Sequence, residues 1–275
     1  MSEQELTQVE QMLKNLLLPD NTKRKEAESQ LQSCLSSIKN KESLSLYCSI
    51  LLNKATEISV QTYCAIIIRK IFLTSEKEIS NDAVKNFSEL NKNEIKKNIL
   101  SALQNCTNKS LRKQIADACI KIYEGLIENE EKWQELLQYI VNFFKLNLDE
   151  TNAPQVELGI YLLSNIYSFA YDELKEGTEI FLKNFSIYFK SNILSLKTRT
   201  VQCITELLCS TSSKKETKQF KDFIFYILET TLNCLQNKDV DNLKLCLDCI
   251  QDLATSEPNI LRKSFNDIYI LMGKI

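Results

Sequence analysis

The chain has 275 residues, of which 44% are hydrophobic and 25% charged, and it contains 4 Gly, 3 Pro and no His. Ordinary usage would give roughly 19 Gly and roughly 14 Pro, and folds with many tight turns depend on those residues. The composition therefore favours long helices and excludes glycine-rich phosphate loops. Because His is the most frequent general base and metal ligand, its absence argues against a catalytic or metal site.

Charge balance argues against binding to nucleic acid, and the lengths of the apolar stretches argue against a membrane span. With 34 Lys and Arg against 36 Asp and Glu, the chain lacks the basic excess that binding to nucleic acid requires. The longest apolar stretch, 63–73, is interrupted by Arg69 and Lys70, so we expect no membrane span. No signal-peptide pattern opens the sequence, and we expect the ten cysteines to be reduced inside the cell.

Apolar residues recur at helical spacing along the whole chain, and the segments pair into hairpins. The predicted pairs are 3–17 with 21–38, 42–54 with 57–73, 82–105 with 109–127, 130–147 with 153–170, 172–191 with 195–211, and 215–237 with 239–255. A last helix begins near Glu257. Second helices recur every ~36 to ~52 residues, which suits HEAT or armadillo repeats better than the 34-residue tetratricopeptide unit.

The pattern predicts an all-α fold, a right-handed superhelical solenoid of about six HEAT-type hairpins plus part of a seventh. We expect one continuous solenoid over residues 1–275, with first (A) helices outside and second (B) helices inside. The unpaired last helix favours a fragment of a longer chain.

The polar faces of the B helices are candidates for recognition. In 109–127 the apolar stripe consists of Leu111, Ile115, Ala118, Cys119, Ile122 and Leu126. Lys113, Asp117 and Glu124 lie opposite that stripe, as Thr62 and Arg69 do in 57–73.

Two A helices carry apolar residues beyond their main stripe. Ile180 and Ile187 lie on the far side of 172–191, and Phe225 and Leu232 lie on the far side of 215–237. Residues seven apart lie nearly above one another on a helix, so each pair could wall an apolar dimple. Contact with neighbouring helices is the alternative.

Other features have structural explanations. Cys246 and Cys249 lie within the stripe Val240, Leu243, Leu247, Ile250 and Leu253, without the second cysteine pair that zinc would need. Trp133 is expected to pack. Pro19 stops the first helix, and Asp20 or Asn21 caps the second. Arg24 stands one turn inside, within reach of Asp20 or of carbonyl groups of the preceding repeat. No nucleophile and base can be paired, so we predict no catalytic residue, metal or cofactor.

Three segments resemble a known family. Leu17, Leu18, Pro19, Asp20, Asn21, Arg24, Ala27, Glu28 and Leu31 form the first, and Ala65 to Phe72, an aliphatic run with a basic pair, forms the second. The third is Ser110 to Lys113, followed by Leu126-Ile127 and Trp133 to Leu137. In this order they resemble the importin-beta (karyopherin-beta) nuclear transport receptors, and among them the beta-3 branch.

The resemblance implies an importin that carries protein cargo with basic localisation signals through the nuclear pore, shuttling between cytoplasm and nucleus. Its Ran-binding part would be roughly 1–170, and Asp20 and Arg24 would be structural, linking adjacent repeats. The residues implied for Ran-GTP are Lys25, Gln32, Thr62, Arg69, Lys113, Asp117 and Glu124. Those implied for phenylalanine–glycine nucleoporins are Ile180, Ile187, Phe225 and Leu232.

The sequence leaves two alternatives open. A HEAT-repeat scaffold outside transport would bind neither Ran-GTP nor nucleoporins. A helical-repeat enzyme working with carboxylates alone would need a deep pocket with two convergent acids of perturbed pKa.

Overall fold

The computed structural model describes residues 3–73, 85–149, 151–210 and 214–273. The chain divides into two compact units, Met1–Gln134 and Glu135–Ile275. Every regular element in the described ranges is helical, and none of these helices is long and apolar enough to cross a membrane. The all-α prediction is confirmed, whereas the handedness and the continuity of the solenoid remain predictions.

The first unit consists of stacked helical hairpins. Its helices are α1 (Glu3–Leu16), α2 (Asn21–Cys34), α3 (Ile38–Lys54), α4 (Ile58–Ile71), α5 (Glu89–Asn105) and α6 (Lys109–Ile127). Helix α1 packs on α2, α3 on α4 and α5 on α6, and the hairpins stack through α3 with α5 and α4 with α6. The A helices and the B helices of neighbouring hairpins therefore form two separate rows.

The second unit repeats this plan with interrupted A helices. Its main helices are α7 (Gln134–Phe143), α8 (Ala153–Ile166), α9 (Tyr171–Leu174), α10 (Thr178–Phe189), α11 (Leu194–Ser210), α12 (Lys214–Gln219), α13 (Phe223–Gln236), α14 (Val240–Ser256), α15 (Pro258–Leu261) and α16 (Phe265–Met272). The B helices α8, α11 and α14 pack side by side. From α2 to α14, successive B helices begin more than 34 residues apart, as predicted for HEAT-type units.

Side-chain caps start several of the helices. Asp20 accepts hydrogen bonds from the backbone N–H groups of Thr22 and Lys23, which identifies it, rather than Asn21, as the cap of α2. Ser37 caps α3 in the same way. That cap explains why α3 begins at Ile38 and not at the predicted residue 42.

Two helices end on left-handed residues that are not glycine. Glu130 and Lys238 have φ of 60° and 56°. The N–H of Glu131 donates to the Leu126 carbonyl over 2.9 Å, which is the Schellman pattern of a helix C-terminus. This turn moves the start of the next helix to Gln134 from the predicted residue 130.

Three predicted helices are interrupted, which the apolar pattern did not indicate. A 3₁₀ turn at Lys175–Gly177 separates α9 from α10, and another at Arg262–Ser264 separates α15 from α16. A turn through Phe220 separates α12 from α13. The start predicted at residue 82 lies outside the described residues.

Most of the predicted core is confirmed, although Leu243 and Leu247 of the α14 stripe are only half-buried. All six stripe residues of α6 are buried, Trp133 is 1% exposed, and Cys246 and Cys249 are buried in α14. Val240 was assigned to that stripe wrongly, since 72% of it is exposed. It opens α14 directly after the Asp239 cap, ahead of the turns that pack.

Candidate functional site

The structure brings five of the predicted residues onto two packed helices. Thr62 and Arg69 lie seven residues apart on α4, and α4 packs against α6. Lys113, Asp117 and Glu124 follow one face of α6, opposite its buried stripe. We call these five residues the B-helix polar face.

An ion pair joins the two helices at the centre of this face. The Arg69 guanidinium Nη1 lies 3.4 Å from Oδ2 of Asp117, and the two side chains are 39% and 17% exposed. A guanidinium that is still open to water can offer its remaining N–H groups to a partner. The pair therefore fixes the position of Arg69 without removing its capacity to bind.

The surrounding side chains are partly held by local bonds. The Glu124 carboxylate pairs with Lys121 Nζ at 2.5 Å, and the Thr62 hydroxyl donates to the Ile58 carbonyl over 2.8 Å. Lys113 is exposed. Lys121 was not among the predicted residues, although its spacing from Asp117 and Glu124 on the helix places it on the same face.

Lys25 and Gln32 lie apart from this pairing. Both are exposed, and they stand seven residues apart on α2, which packs against α1 and α3. Helix α2 buries only Ala27, so most of its surface faces solvent. The structure thus supports their accessibility.

The N-terminal motif forms a capped turn. Arg24 donates to Asn21 Oδ1 at 2.9 Å and lies 3.7 Å from Glu28 Oε1. The expectation that it reaches Asp20 is wrong, because the Asp20 carboxylate is occupied by the first N–H groups of α2. Both residues stabilise the start of α2, whereas the predicted link to an adjacent repeat is not among their described contacts.

The isoleucine pair on α10 is exposed. Ile180 and Ile187 are 41% and 45% exposed. Between them, the Asn184 amide donates to the Phe144 carbonyl over 2.9 Å, which ties α10 to the end of α7. Neighbouring helices leave nearly half of each isoleucine in contact with water, so they are open to a partner.

The second apolar pair lines a groove. Phe225, 67% exposed, and half-buried Leu232 face the last helix across a groove of about 330 Å³. Its lining residues come from α13 and from the segment 264–271: Phe225, Leu228, Glu229, Leu232, Ser264, Asp267, Ile270 and Leu271. We call this the α13–α16 groove. The α16 residues were missed because only the packing of two helices distant in sequence reveals them.

Three core cysteines are held in the thiol form by burial. Burial raises the pKa of Cys249 to about 12 and raises the pKa of Cys119 and Cys246 as well. Only the thiolate is nucleophilic or binds metals. Within the described residues, no group of three or more Cys, Asp or Glu side chains could hold a metal ion.

One pair of acids bears on the enzyme alternative. Burial, and then the charge of Asp252, raises the pKa of Glu206. Both residues are nevertheless exposed to solvent, on α11 and α14. They therefore lack the deep pocket that a carboxylate enzyme would require.

Comparison with solved structures identifies the same helical architecture. Kap121p bound to Ste12p aligns with a TM-score of 0.75 at 17% identity, over 98% of this chain and 24% of that chain. Kap121p bound to Nup53p gives a TM-score of 0.74 and 17% identity, over 98% and 24% of the two chains. Kap121p bound to RanGTP gives 0.72 and 17%, over 97% and 24%. The chain thus spans about a quarter of Kap121p.

Sequence comparison supplies the family. A search of the curated proteins gives no significant match. The model of the family described as "IPO5-like, TPR repeats" matches residues 107–271, which is more than half of the chain. The chain therefore belongs to the IPO5-like family, and its predicted membership of the importin-beta (karyopherin-beta) receptors is confirmed.

Proposed function

We propose that this chain is the N-terminal part of a nuclear import receptor that binds Ran-GTP, nucleoporin repeats and protein cargo. The observation that carries the proposal is the IPO5-like family match over residues 107–271. Solved complexes of Kap121p with RanGTP, Nup53p and Ste12p support it, because this chain has the same fold.

The B-helix polar face, extended by Lys25 and Gln32, is the proposed Ran-binding surface, within a region of roughly residues 1–170. Arg69 is fixed by Asp117 and stays partly exposed. A positioned guanidinium loses little conformational entropy on binding. Arg69 is therefore the residue whose loss should weaken Ran binding most.

The exposed apolar residues of α10 and α13 are the proposed nucleoporin contacts. Ile180, Ile187, Phe225 and Leu232 offer apolar surface that a phenylalanine side chain can cover. A disordered repeat gains from several such contacts along one chain, since each contributes modestly.

In this role the chain works as an adaptor without a cofactor of its own, and any guanine nucleotide belongs to Ran. Residues 1–275 would form one continuous solenoid, and its cargo would carry a basic localisation signal. The receptor would shuttle between cytoplasm and nucleus. Recognition would involve neither nucleic acid nor membrane, and no bond would be made or broken by this chain.

A HEAT-repeat scaffold for a complex outside transport is the alternative. It would have the same fold, because the fold arises from stacked amphipathic hairpins rather than from a particular partner. Such a scaffold would bind neither Ran-GTP nor phenylalanine–glycine repeats, so binding experiments separate the two functions.

Retention on immobilised phenylalanine–glycine repeats tests the nucleoporin part. Replacing both Ile180 and Ile187 by Ser should weaken retention, because the apolar contact is lost while the exposed positions tolerate a polar residue. Leu90→Ser is the matched control, since Leu90 is 75% exposed on α5 and is not one of the proposed contact residues. Equal retention of the wild type and the double variant would remove these isoleucines from the proposed site.

A further inference from the structure

The α13–α16 groove combines an apolar lining with acidic residues on both sides. Phe225, Leu228 and Leu232 of α13 face Ile270 and Leu271 of α16. Glu229 lies on the α13 side and Asp267 on the α16 side, and both are exposed. Among the lining residues that the structure describes, no Lys or Arg offsets these two carboxylates.

Apolar and charged parts of such a groove select different parts of a ligand. The apolar lining can take one aromatic or aliphatic side chain, since 67% of Phe225 and 56% of Ile270 are uncovered. Two carboxylates flanking that position attract cations and repel anions beside it. The groove would therefore select a peptide both by its apolar residue and by the charge of the residues on either side of it.

We propose that the α13–α16 groove prefers a phenylalanine-containing peptide whose flanking residues are Lys or Arg. The inference rests on the proposed binding of phenylalanine–glycine repeats and adds a charge preference to it. Glu229 and Asp267 determine that preference, and Phe225 and Leu232 supply the shared apolar contact.

The size of the preference follows from the exposure of the carboxylates. An exposed ion pair of average strength changes the affinity about threefold. With two carboxylates, a lysine-flanked peptide should bind about tenfold more tightly than a serine-flanked one. A glutamate-flanked peptide should bind more weakly than either. The differences should shrink as salt is raised, because exposed charges are screened.

The experiment uses the 275-residue chain carrying Ile180→Ser and Ile187→Ser, so that the α10 site does not contribute. Three fluorescent peptides share one Phe-Gly core and differ only in lysine, serine or glutamate flanks, and their affinities are measured by anisotropy. Combined Glu229→Gln and Asp267→Asn should make the three affinities equal while the serine-flanked peptide binds as before. Asp241→Asn, an exposed acid outside the groove, is the matched control and should leave the preference intact.

Each outcome has one meaning. A lysine preference that disappears in the Glu229 and Asp267 variant supports the inference. Equal affinity of the parent chain for the three peptides would overturn the charge preference. If Leu232→Ser also abolished the binding of all three peptides, the proposed nucleoporin contact in this groove would still stand. A preference that survives the double substitution would also overturn the inference. If none of the peptides binds, nucleoporin recognition by this groove fails, and the charge preference fails with it.

Discussion

Lys92 is a buried cation that ties the helices of the first unit together. Only 5% of the residue is exposed. Its Nζ lies 3.0 Å from Glu89 Oε1, and it forms a second ion pair with Glu131, which follows α6. A buried lysine is rare unless it is paired. We predict that Lys92→Met destabilises the first unit because it leaves Glu131 without its partner.

The magnitude follows from the exposure of the two carboxylates. Breaking a fully buried ion pair by removing one partner costs about 3–5 kcal/mol. The Glu131 side chain is 25% exposed and that of Glu89 is 72% exposed, so water recovers part of that loss. We therefore expect Lys92→Met to lower the free energy of unfolding by about 2 kcal/mol. Glu89→Gln, which removes only the exposed pair, should cost less than about 1 kcal/mol.

Urea denaturation followed by tryptophan fluorescence measures this difference. Trp133 is the only tryptophan, is 1% exposed and lies two residues from Glu131, so its emission reports on this region. The reasoning would be refuted if Lys92→Met lowered the free energy of unfolding no more than Glu89→Gln does, or if it raised that free energy.

Alkaline pH provides a second measurement on the same pair. Burial lowers the pKa of Lys92, but the hydrogen bonds to Glu131 and Glu89 outweigh it and leave the pKa above 10.5. The stabilisation is therefore complete below about pH 10.5 and is lost as the pH rises through the folded-state pKa.

Three further predictions concern local structure. Glu130→Gly should raise the stability by about 1 kcal/mol in thermal unfolding, because glycine relieves a φ of 60°, whereas Glu128→Gly, at φ −59°, should not. Gly159→Ala should lower the free energy of unfolding by about 1–2 kcal/mol, since the added Cβ would lie 2.5 Å from Phe143 Cβ. An unchanged melting temperature would contradict this, because it would show that α7 and α8 move apart without loss of stability. Burial raises the pKa of Glu42, but hydrogen bonds from Ser88 and Asn91 outweigh burial and leave that pKa below 4.5. The difference in unfolding free energy between the wild type and Glu42→Gln should therefore persist above about pH 4.5. It should shrink as the pH falls through the folded-state pKa. A difference that does not change between neutral and acidic pH would contradict this last expectation.

The helices and their buried stripes could be predicted because the spacing of apolar residues reflects helical periodicity directly. The six stripe residues of α6 show this, and so does the burial of Cys246 within α14. The break at Lys175–Gly177 could not be predicted, since Leu174 and Phe181 continue the apolar pattern on both sides of it and both are buried. Tertiary packing, rather than periodicity, sets the register there.

Some residues of the candidate sites could likewise be predicted from the sequence and others could not. The polar face of α6 was predictable because the side opposite a buried stripe faces away from the core. The pairing of Arg69 with Asp117 was not, since it depends on how α4 lies against α6. The ion pair of Lys92 with Glu131 was even harder to predict, because a lysine is expected at the surface and Glu131 is 39 residues away along the chain. Glu229 and Asp267 likewise become neighbours of one groove only after α13 and α16 have packed.

Calorimetric titration of this chain with Ran tests the central claim most directly. The proposal predicts binding to Ran loaded with a non-hydrolysable GTP analogue and none to Ran-GDP under the same conditions. Arg69→Ala should weaken the interaction about tenfold, which is the loss of about 1.4 kcal/mol, whereas Lys70→Ala, an exposed neighbour outside the polar face, should not. Equal affinity for both nucleotide states, or no heat of binding with either, would contradict the assignment of Ran binding to this part of the receptor.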